Sequence, residues 1–214
     1  MKVLTVANRK GGAGKSTCAA HLAVESLKNN LKTIIIDLDP QKTLEGWWNR
    51  RLGDDLPLID PIISELELSL NKLADKGFEL CIIDTPGDAS QNARLGIAVA
   101  DLVLIPSKPT APDLSAIGRT INMVEEHKKK YIFVLTQGIV RSKATFQASS
   151  VLSGFGPVAP AVISNRTSYA SAMGVGDSAA ATDKAAEEEI RQVWEFINSR
   201  LFEAQQLKKA KLIA

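Results

Sequence analysis

Short apolar runs alternate with segments whose apolar residues recur at helical spacing along the sequence. The predicted strands are residues 3–7, 33–37, 80–84, 102–106, 131–136 and 158–163. Most of these runs are apolar throughout, which is typical of strands that are buried on both faces. With helices between the strands, the pattern predicts an α/β fold with a doubly wound, mostly parallel sheet flanked by helices. Such sheets bind ligands at the carboxyl ends of their strands.

The predicted helices are residues 16–28, 44–52, 64–74, 113–128, 143–152, 169–173 and 183–207. Asp113 is predicted to cap the fourth of these helices, and Pro106 is predicted to stop the strand before it. Residues 154–160 are predicted to form a surface turn. Because no internal repeat or low-complexity linker divides the sequence, we expect a single domain over residues 1–214.

A glycine-rich segment, KGGAGKST, lies between the first predicted strand and the first predicted helix. It contains the GK[ST] end of the motif GxxxxGK[ST], but the segment opens on a lysine instead of a glycine. The glycines allow backbone amides to approach a phosphate without a Cβ clash. Lys15 can reach the β- and γ-phosphates, the Ser16 hydroxyl can bind magnesium, and Thr17 lies in a helical turn that favours phosphate. The segment predicts a P-loop NTPase fold that binds ATP and Mg²⁺ through Lys10, Gly11, Gly12, Ala13, Gly14, Lys15, Ser16 and Thr17.

Lys10 is the unusual residue of this segment, because the phosphate cradle does not need it. Alone, it could be a solvated surface lysine. Beside the rest of the pattern, we interpret Lys10 as a second charge that neutralises phosphate and stabilises the phosphoryl group during transfer. The predicted catalytic residues are Lys10, Lys15 and Asp39.

Carboxylates follow two of the buried strands, as Asp37 and Asp39 in IIIDLDPQ and as Asp84 in CIIDTPG. A carboxylate beside a phosphate loop can hold magnesium, and a second one can orient or deprotonate the attacking water. Each acid could instead cap a helix or form a turn. We predict that Ser16, Asp39 and Asp84 are magnesium ligands. Asp39 is also the predicted acid that orients or deprotonates the water in hydrolysis. Asp37 could have either a structural role or a role beside the magnesium ion. Residues 85–87 are predicted to sense the γ-phosphate.

Composition and charge exclude few of the functions that are compatible with these motifs. The formal net charge is +2 and the isoelectric point about 8.5, so charge alone does not require a nucleic-acid partner. Cys18 and Cys81 form no CxxC pair and are predicted to be buried free thiols in a reducing compartment. No apolar run approaches the roughly 18 residues that span a bilayer, and no signal peptide precedes the first strand. We therefore expect a cytoplasmic protein.

In its combination of motifs, the sequence resembles the ParA/MinD family of deviant Walker A ATPases. The matching segments are residues 10–17, 37–41, 82–87 and 105–113. The last of them is similar to the proline-rich segment of the family and makes Pro109 a candidate nucleotide contact. The resemblance covers nearly the whole sequence. The adjacent Trp47 and Trp48, together with the short length, are most similar to small ParA proteins without an N-terminal DNA-binding domain.

The resemblance implies an ATP hydrolase of weak intrinsic activity that forms a homodimer around ATP. In that dimer, Lys10 would reach the phosphates of the partner subunit. The ATP-bound dimer would bind DNA without sequence preference, and a ParB-type or analogous adaptor protein would stimulate hydrolysis and release it. The family thereby positions plasmids, chromosome origins or protein cargo over the nucleoid, so a nucleoid-associated location is expected.

The resemblance also identifies candidate base and DNA contacts. Many relatives carry an Asn near the nucleotide base where this sequence has Thr136 and Gln137. Residues 163–169 look like the late strand and arginine-bearing loop of the family, which makes Arg166 a candidate DNA contact. Arg141 and Lys143 are further candidates, because phosphate binding needs only clustered exposed cations. Each of these three cations could equally be a solvated surface charge.

Two other classes of function are compatible with parts of the sequence. A MinD-like regulator that cycles on membranes needs an amphipathic C-terminus. Residues 201–213 carry three lysines but few bulky apolar anchors, so an ordinary closing helix is favoured and no stable membrane insertion is expected. A metal-transfer enzyme related to nitrogenase reductase would need paired cluster cysteines, for which Cys18 and Cys81 are poorly placed. A ParA relative that positions a protein assembly would have the same ATPase core.

Overall fold

The computed structural model describes residues 1–203 of the chain. The strands of this part are β1 (Lys2–Val6), β2 (Thr33–Asp37), β3 (Leu58–Ile59), β4 (Leu80–Asp84), β5 (Leu102–Ser107), β6 (Tyr131–Gly138) and β7 (Val158–Ser164). The α-helices are α1 (Lys15–Lys28), α2 (Thr43–Trp48), α3 (Leu66–Asp75), α4 (Gln91–Ala98), α5 (Ala111–Glu126), α6 (Lys143–Ser153), α7 (Thr167–Val175) and α8 (Lys184–Leu201). Two short 3₁₀ turns lie at Ile63–Glu65 and Ala179–Ala181.

All seven strands belong to one parallel sheet, in the order β3-β2-β4-β1-β5-β6-β7. The predicted doubly wound α/β fold is therefore confirmed. Strand β1 lies between β4 and β5, so the loop that leaves β1 emerges where the strand order reverses. Parallel sheets of this kind bind ligands at that crevice.

Consecutive residues of the central strands point to opposite faces, and helices cover both faces. On one face, Leu4 and Leu104 pack in a cluster with residues of α1 and α8. On the other face, Val103 packs with α4, α5 and α6, and Val3 packs with α3. This double burial explains why the strands read as continuous apolar runs.

Pro106 does not stop β5, which continues to Ser107, so that prediction is wrong. The reason is the register of the neighbouring strands. The pairing of β5 with β1 ends at Leu104, and only β6 continues alongside Pro106. A residue without an N–H is tolerated where one side of the strand needs no ladder hydrogen bond.

Asp113 is not the cap of α5, which begins at Ala111. The side chain of Thr110 accepts the backbone N–H of Asp113 at 3.3 Å and is the N-cap. Pro112 is accepted in the first turn because the first amides of a helix have no intrahelical partner. Asp113 therefore lies at the third helical position.

The remaining differences concern weak sequence patterns. Helix α4, capped by Ser90, was not predicted because its apolar residues are few. Strand β3 was not predicted because it has only two residues. Strand β7 begins at Val158, inside the turn predicted at residues 154–160. Helix α8 ends at Leu201. Residues 204–207 of the predicted last helix, and residues 204–213 of the segment considered for membrane binding, lie outside the described residues.

Candidate nucleotide-binding site

The glycine-rich loop lies between β1 and α1 and borders a cleft of about 590 Å³. Gly12 and Gly14 have φ values of +71° and +86°, a left-handed conformation that glycine adopts without strain. Lys15 begins α1, so the helix N-terminus faces the cleft. The cleft is lined by Gly11, Gly12, Gly14, Lys15, Ser16, Thr17, Asp39, Pro40, Gln41, Thr43, Pro86, Gly87, Asp88 and Gln137.

Two residues of β6 donate side-chain hydrogen bonds to the backbone of the phosphate loop. The Thr136 hydroxyl donates to the carbonyl of Ala13 at 2.8 Å, and the Gln137 side-chain amide donates to the carbonyl of Gly12 at 3.1 Å. The family resemblance led us to expect an Asn near the nucleotide base at these positions. In this chain they stabilise the phosphate loop, and Gln137 also lines the cleft.

Gly87 forms the opposite wall and comes very close to the loop. A Cβ at this position would lie 3.2 Å from Lys15 Nζ and 3.3 Å from the backbone of Gly11. The segment after β4 therefore contacts both the phosphate loop and its lysine. That residues 85–87 respond to a bound phosphate stays a prediction.

Asp37 and Asp39 have different environments. Asp37 is buried, and its carboxylate accepts the backbone amides of Asp39 at 3.0 Å and Glu45 at 2.9 Å. Burial raises the pKa of Asp37, and these two amides oppose the rise. Of the two alternatives that the sequence left open for Asp37, these contacts support the structural one. Asp39 accepts one amide, from Gln41 at 2.9 Å, and lines the cleft.

Asp84 is completely buried, and neither of its carboxylate oxygens has a hydrogen-bond partner. Burial raises its pKa to about 7, and the nearby carboxylate of Asp37 also raises it, whereas Ser16 and Lys15 lower it. A buried carboxylate without partners is costly unless a cation balances it. Its surroundings therefore fit a bound divalent cation.

Among residues 1–203, no cluster of three or more His, Cys, Asp and Glu side chains could hold a metal by itself. A cation here would need oxygen ligands of other kinds. Magnesium typically combines one or two carboxylates with waters and phosphate oxygens of a substrate. The Ser16 hydroxyl and the carboxylates of Asp39 and Asp84 fit that mode of binding.

The side chain of Lys10 turns away from the cleft of its own chain. Its ammonium group forms an ion pair with Asp113 at 2.9 Å, and Lys10 is not among the residues that line the cleft. Pro109, the other candidate contact outside the loop, also does not line the cleft. Its Cγ lies 3.5 Å from where a Cβ of Gly138 would be.

The three candidate DNA contacts are separated into two environments. Arg141 and Lys143 are exposed at the start of α6, and neither forms an ion pair within residues 1–203. Arg166 instead donates to Glu189 of α8 through Nε at 3.0 Å and Nη2 at 2.8 Å. It borders a recess of about 170 Å³ that Gly14 and Thr17 of the phosphate loop also line.

Some site residues were not identified from the sequence as parts of the cleft. Gln41 and Asp88 line it, and Lys108 Nζ comes within 3.6 Å of the position that a Cβ of Gly12 would take. Gln41 and Lys108 lie inside motifs of the family resemblance, which is the signal that could have identified them. Asp88 follows Gly87 directly and could have been found only by extending that motif by one residue.

Comparison with known proteins agrees with this geometry. The family model described as the CobQ/CobB/MinD/ParA nucleotide binding domain matches residues 4–172. The protein ParA of Rhizobium radiobacter is 28% identical over 180 residues, which covers 79% of this chain and 81% of that protein. The maintenance of carboxysome distribution protein A of Halothiobacillus neapolitanus is 29% identical over 203 residues. This match covers 89% of this chain and 93% of that protein.

A similar solved structure is a putative plasmid partition protein from Borrelia burgdorferi bound to AMPPNP. It superposes with a TM-score of 0.78 at 18% identity and covers 93% of this chain and 99% of that one. At this identity the likeness establishes the fold alone. Together with the extent of the family match, it agrees with the resemblance seen in the sequence. The chain belongs to the ParA/MinD family of P-loop ATPases, whose nucleotide-binding domain it contains.

Proposed function

We propose that this protein is a magnesium-dependent ATP hydrolase whose ATP-bound homodimer binds DNA without sequence preference. Hydrolysis, stimulated by a ParB-type or analogous adaptor protein, releases the dimer and thereby positions a DNA or protein cargo. The observation that carries the proposal is the cleft lined by the phosphate loop, Lys15 and Asp39, together with the buried, unpartnered carboxylate of Asp84 close to Ser16 and Lys15. Its relatives include both a ParA protein and a protein for carboxysome distribution.

The cleft supports ATP as the ligand because its groups match a polyphosphate. The amides of Gly11–Gly14 and the N-terminus of α1 supply partial positive charge, and Lys15 adds a full charge. Lys15 is buried, at 7% exposure, so little water screens its charge. Magnesium, when bound, would neutralise charge on the phosphates from the side of Ser16 and Asp84.

Hydrolysis needs a water molecule aimed at the γ-phosphorus. Attack of that water forms a new P–O bond, breaks the bond to ADP and releases phosphate and a proton. Asp39 is our candidate to orient the water, because it lines the cleft and its carboxylate accepts only one backbone amide. Asp37 is less suited to this role, because it is buried, does not line the cleft and already accepts two amides.

The proposed DNA contacts rest on exposed positive charge. Arg141 and Lys143 stand two residues apart at the start of α6, without ion-pair partners in the part of the chain that the structure describes. Phosphate backbones bind such cations, with an affinity that falls as salt rises. Arg166 is a weaker candidate, because Glu189 and Asp183 compensate its charge.

The proposal is tested with Asp39→Ala, which should bind ATP without hydrolysing it. With Mg-ATP this variant should be retained on nonspecific DNA at low salt and released as salt rises, whereas ADP should give no retention. Arg141→Ala with Lys143→Ala should reduce retention. The matched control removes Lys72 and Lys76, two exposed cations at the C-terminal end of α3, and should change retention little.

Each outcome of this experiment has a clear meaning. Retention on DNA only with ATP supports the proposal. If the ATP-bound variant ignores DNA but sediments with vesicles of anionic lipid, the MinD-like, membrane-associated alternative replaces it. Within residues 1–203, no helix is long and apolar enough to cross a membrane.

A further inference from the structure

Three consecutive residues before the phosphate loop are tied to β5 and α5. The side-chain amide of Asn8 donates to the carbonyl of Pro106 at 2.6 Å, and the backbone N–H of Arg9 donates to the Thr120 hydroxyl at 3.1 Å. Lys10 completes the series with its ion pair to Asp113 at 2.9 Å. The position of the Lys10 side chain is therefore determined by α5 and not by the cleft.

Asp113 is an unusual partner for a surface lysine, because its carboxylate is buried. Its side chain is 5% exposed, whereas that of Lys10 is 35% exposed. One carboxylate oxygen accepts both the Thr110 hydroxyl and the Lys10 ammonium, and the other, Oδ1, has no partner. Lys10 is the only cation that forms an ion pair with this carboxylate within residues 1–203.

Departure of Lys10 would leave the buried charge of Asp113 with only the Thr110 hydroxyl. Breaking a buried pair from one side is costly, because the remaining charge has neither water nor a counter-charge. Any movement of Lys10 toward a phosphate must therefore overcome its attraction to Asp113. ATP carries more negative charge than ADP and competes better for the same ammonium group.

We infer that Asp113 is a positioning residue that holds Lys10 away from phosphate in the single chain, so that engagement of Lys10 becomes a step that ATP must drive. The inference rests on the proposed function, in which Lys10 acts on the phosphates of a dimer. In this arrangement, Asp113 sets the protein and ATP concentrations at which the dimer forms. It acts only through Lys10.

The test is Asp113→Asn, which removes the charge and keeps the shape of the side chain. ATP-dependent dimerisation, followed by sedimentation velocity, should then reach its midpoint at about fivefold lower protein concentration, which corresponds to about 1 kcal/mol. Glu126→Gln is the matched control. It removes an exposed carboxylate, paired with Arg94, from the other end of α5 and should leave the midpoint unchanged.

Two results would overturn the inference. One is weaker or unchanged dimerisation of Asp113→Asn. If Asp113 aligned Lys10 for binding instead of restraining it, the substitution would weaken dimerisation and not strengthen it. The other is a gain from Asp113→Asn that persists in a Lys10→Ala background, because the effect would then not pass through Lys10. If Asp113→Asn does not fold, Asp113→Ser removes the charge and leaves a smaller polar side chain.

A second measurement separates this inference from the proposed function. Acetic anhydride labels free lysine amines, and the rate at Lys10 can be read by mass spectrometry in the nucleotide-free protein. Asp113→Asn should raise that rate severalfold, with Lys28 as the internal reference. If the wild-type protein never dimerises, the proposed function is wrong. The labelling rate still tests whether Asp113 restrains Lys10 in the single chain. An unchanged labelling rate would overturn the restraint itself.

Discussion

At the scale of single residues, the nucleotide site depends on close contacts between segments that are distant in sequence. Gly87 follows β4 and meets Gly11 and Lys15 across the cleft. The contact leaves little space for a side chain, although the backbone conformation of Gly87 is not left-handed. Glycine is therefore favoured here by the close approach and not by its φ angle.

Substitution of Gly87 tests this contact. In Gly87→Ala, the new Cβ would lie 3.2–3.3 Å from Lys15 Nζ and the Gly11 backbone, so the two segments must separate. Overpacking of this kind costs about 1–3 kcal/mol. We expect ATP affinity, measured by calorimetric titration, to fall at least about fivefold, which corresponds to about 1 kcal/mol.

The control is Gly118→Ala in α5, where a Cβ would have no atom within 4 Å. Alanine is the better helix former, so this variant should be more stable by about 0.5–1 kcal/mol and should bind ATP normally. Normal ATP affinity in Gly87→Ala would mean that the segment after β4 moves freely away from the loop.

At the scale of elements, the packing of α1 against α7 encloses an uncharged histidine. His21 Nδ1 donates to the carbonyl of Thr17 at 2.8 Å, and its ring meets the ring of Tyr169 edge-on at 5.0 Å. The other ring nitrogen, Nε2, has no partner. Burial lowers the pKa of His21 from its usual 6.5 to about 4. Protonation of His21 therefore opposes the packing of these two helices.

The sign of the resulting pH dependence follows from this lowered pKa. Below pH 6.5 the unfolded chain takes up a proton at His21, whereas the folded chain does so only near pH 4. The stability due to the neutral histidine is therefore complete above pH 6.5 and is lost as the pH falls toward about 4, by up to about 1.4 kcal/mol per pH unit.

The measurement is the free energy of unfolding in urea, compared between the wild type and His21→Phe from pH 8 to about pH 4.5. The difference between the two proteins should be constant above pH 7 and should move in favour of the variant as the pH falls. Groups that titrate in both proteins cancel in this difference. Parallel curves over the whole range would show that His21 is not buried as described.

At the scale of the whole molecule, strand order brings the acidic residues to the phosphate loop. In the sheet, Val6 of β1 lies opposite Asp84 of β4, and Asp84 lies opposite Asp37 of β2. Three segments that are far apart in sequence thus end at one edge of the sheet. Because nucleotide binding joins these segments, it should stabilise the fold as a whole.

The expected stabilisation follows from mass action. Mg-ATP at about 100 times its dissociation constant should raise the free energy of unfolding by about 2.7 kcal/mol. Lys15→Ala should lose roughly thirtyfold in affinity, since a hydrogen bond from a charged group contributes about 2 kcal/mol. Thermal unfolding with and without Mg-ATP measures both effects.

Lys28→Ala is the matched control for this experiment. It removes a lysine from the opposite end of the same helix, where Lys28 is 43% exposed and forms only long ion pairs with Glu25 and Glu187. This variant should keep the full shift in unfolding temperature on addition of Mg-ATP. A full shift in Lys15→Ala would instead exclude Lys15 as a phosphate ligand.

The sequence by itself determined the features that are local or periodic. Continuous apolar runs predicted the central strands, because burial on both faces requires apolar residues at successive positions. The phosphate loop could be recognised in the sequence because its glycines, Lys15 and Ser16 stand in one short segment. A loop of this kind binds phosphate largely through its own backbone amides. Asp39 and Asp84 were predicted as site residues because Asp84 ends such a strand and Asp39 lies two residues beyond another.

The tertiary structure alone decided the contacts between distant segments. It brought Gln137 to Gly12 and placed Lys10 on Asp113. A hydrophobic pattern indicates which face of a strand or helix is buried, but it does not indicate which side chains meet across 100 residues of sequence. Those meetings depend on strand order and register, which only the assembled sheet provides.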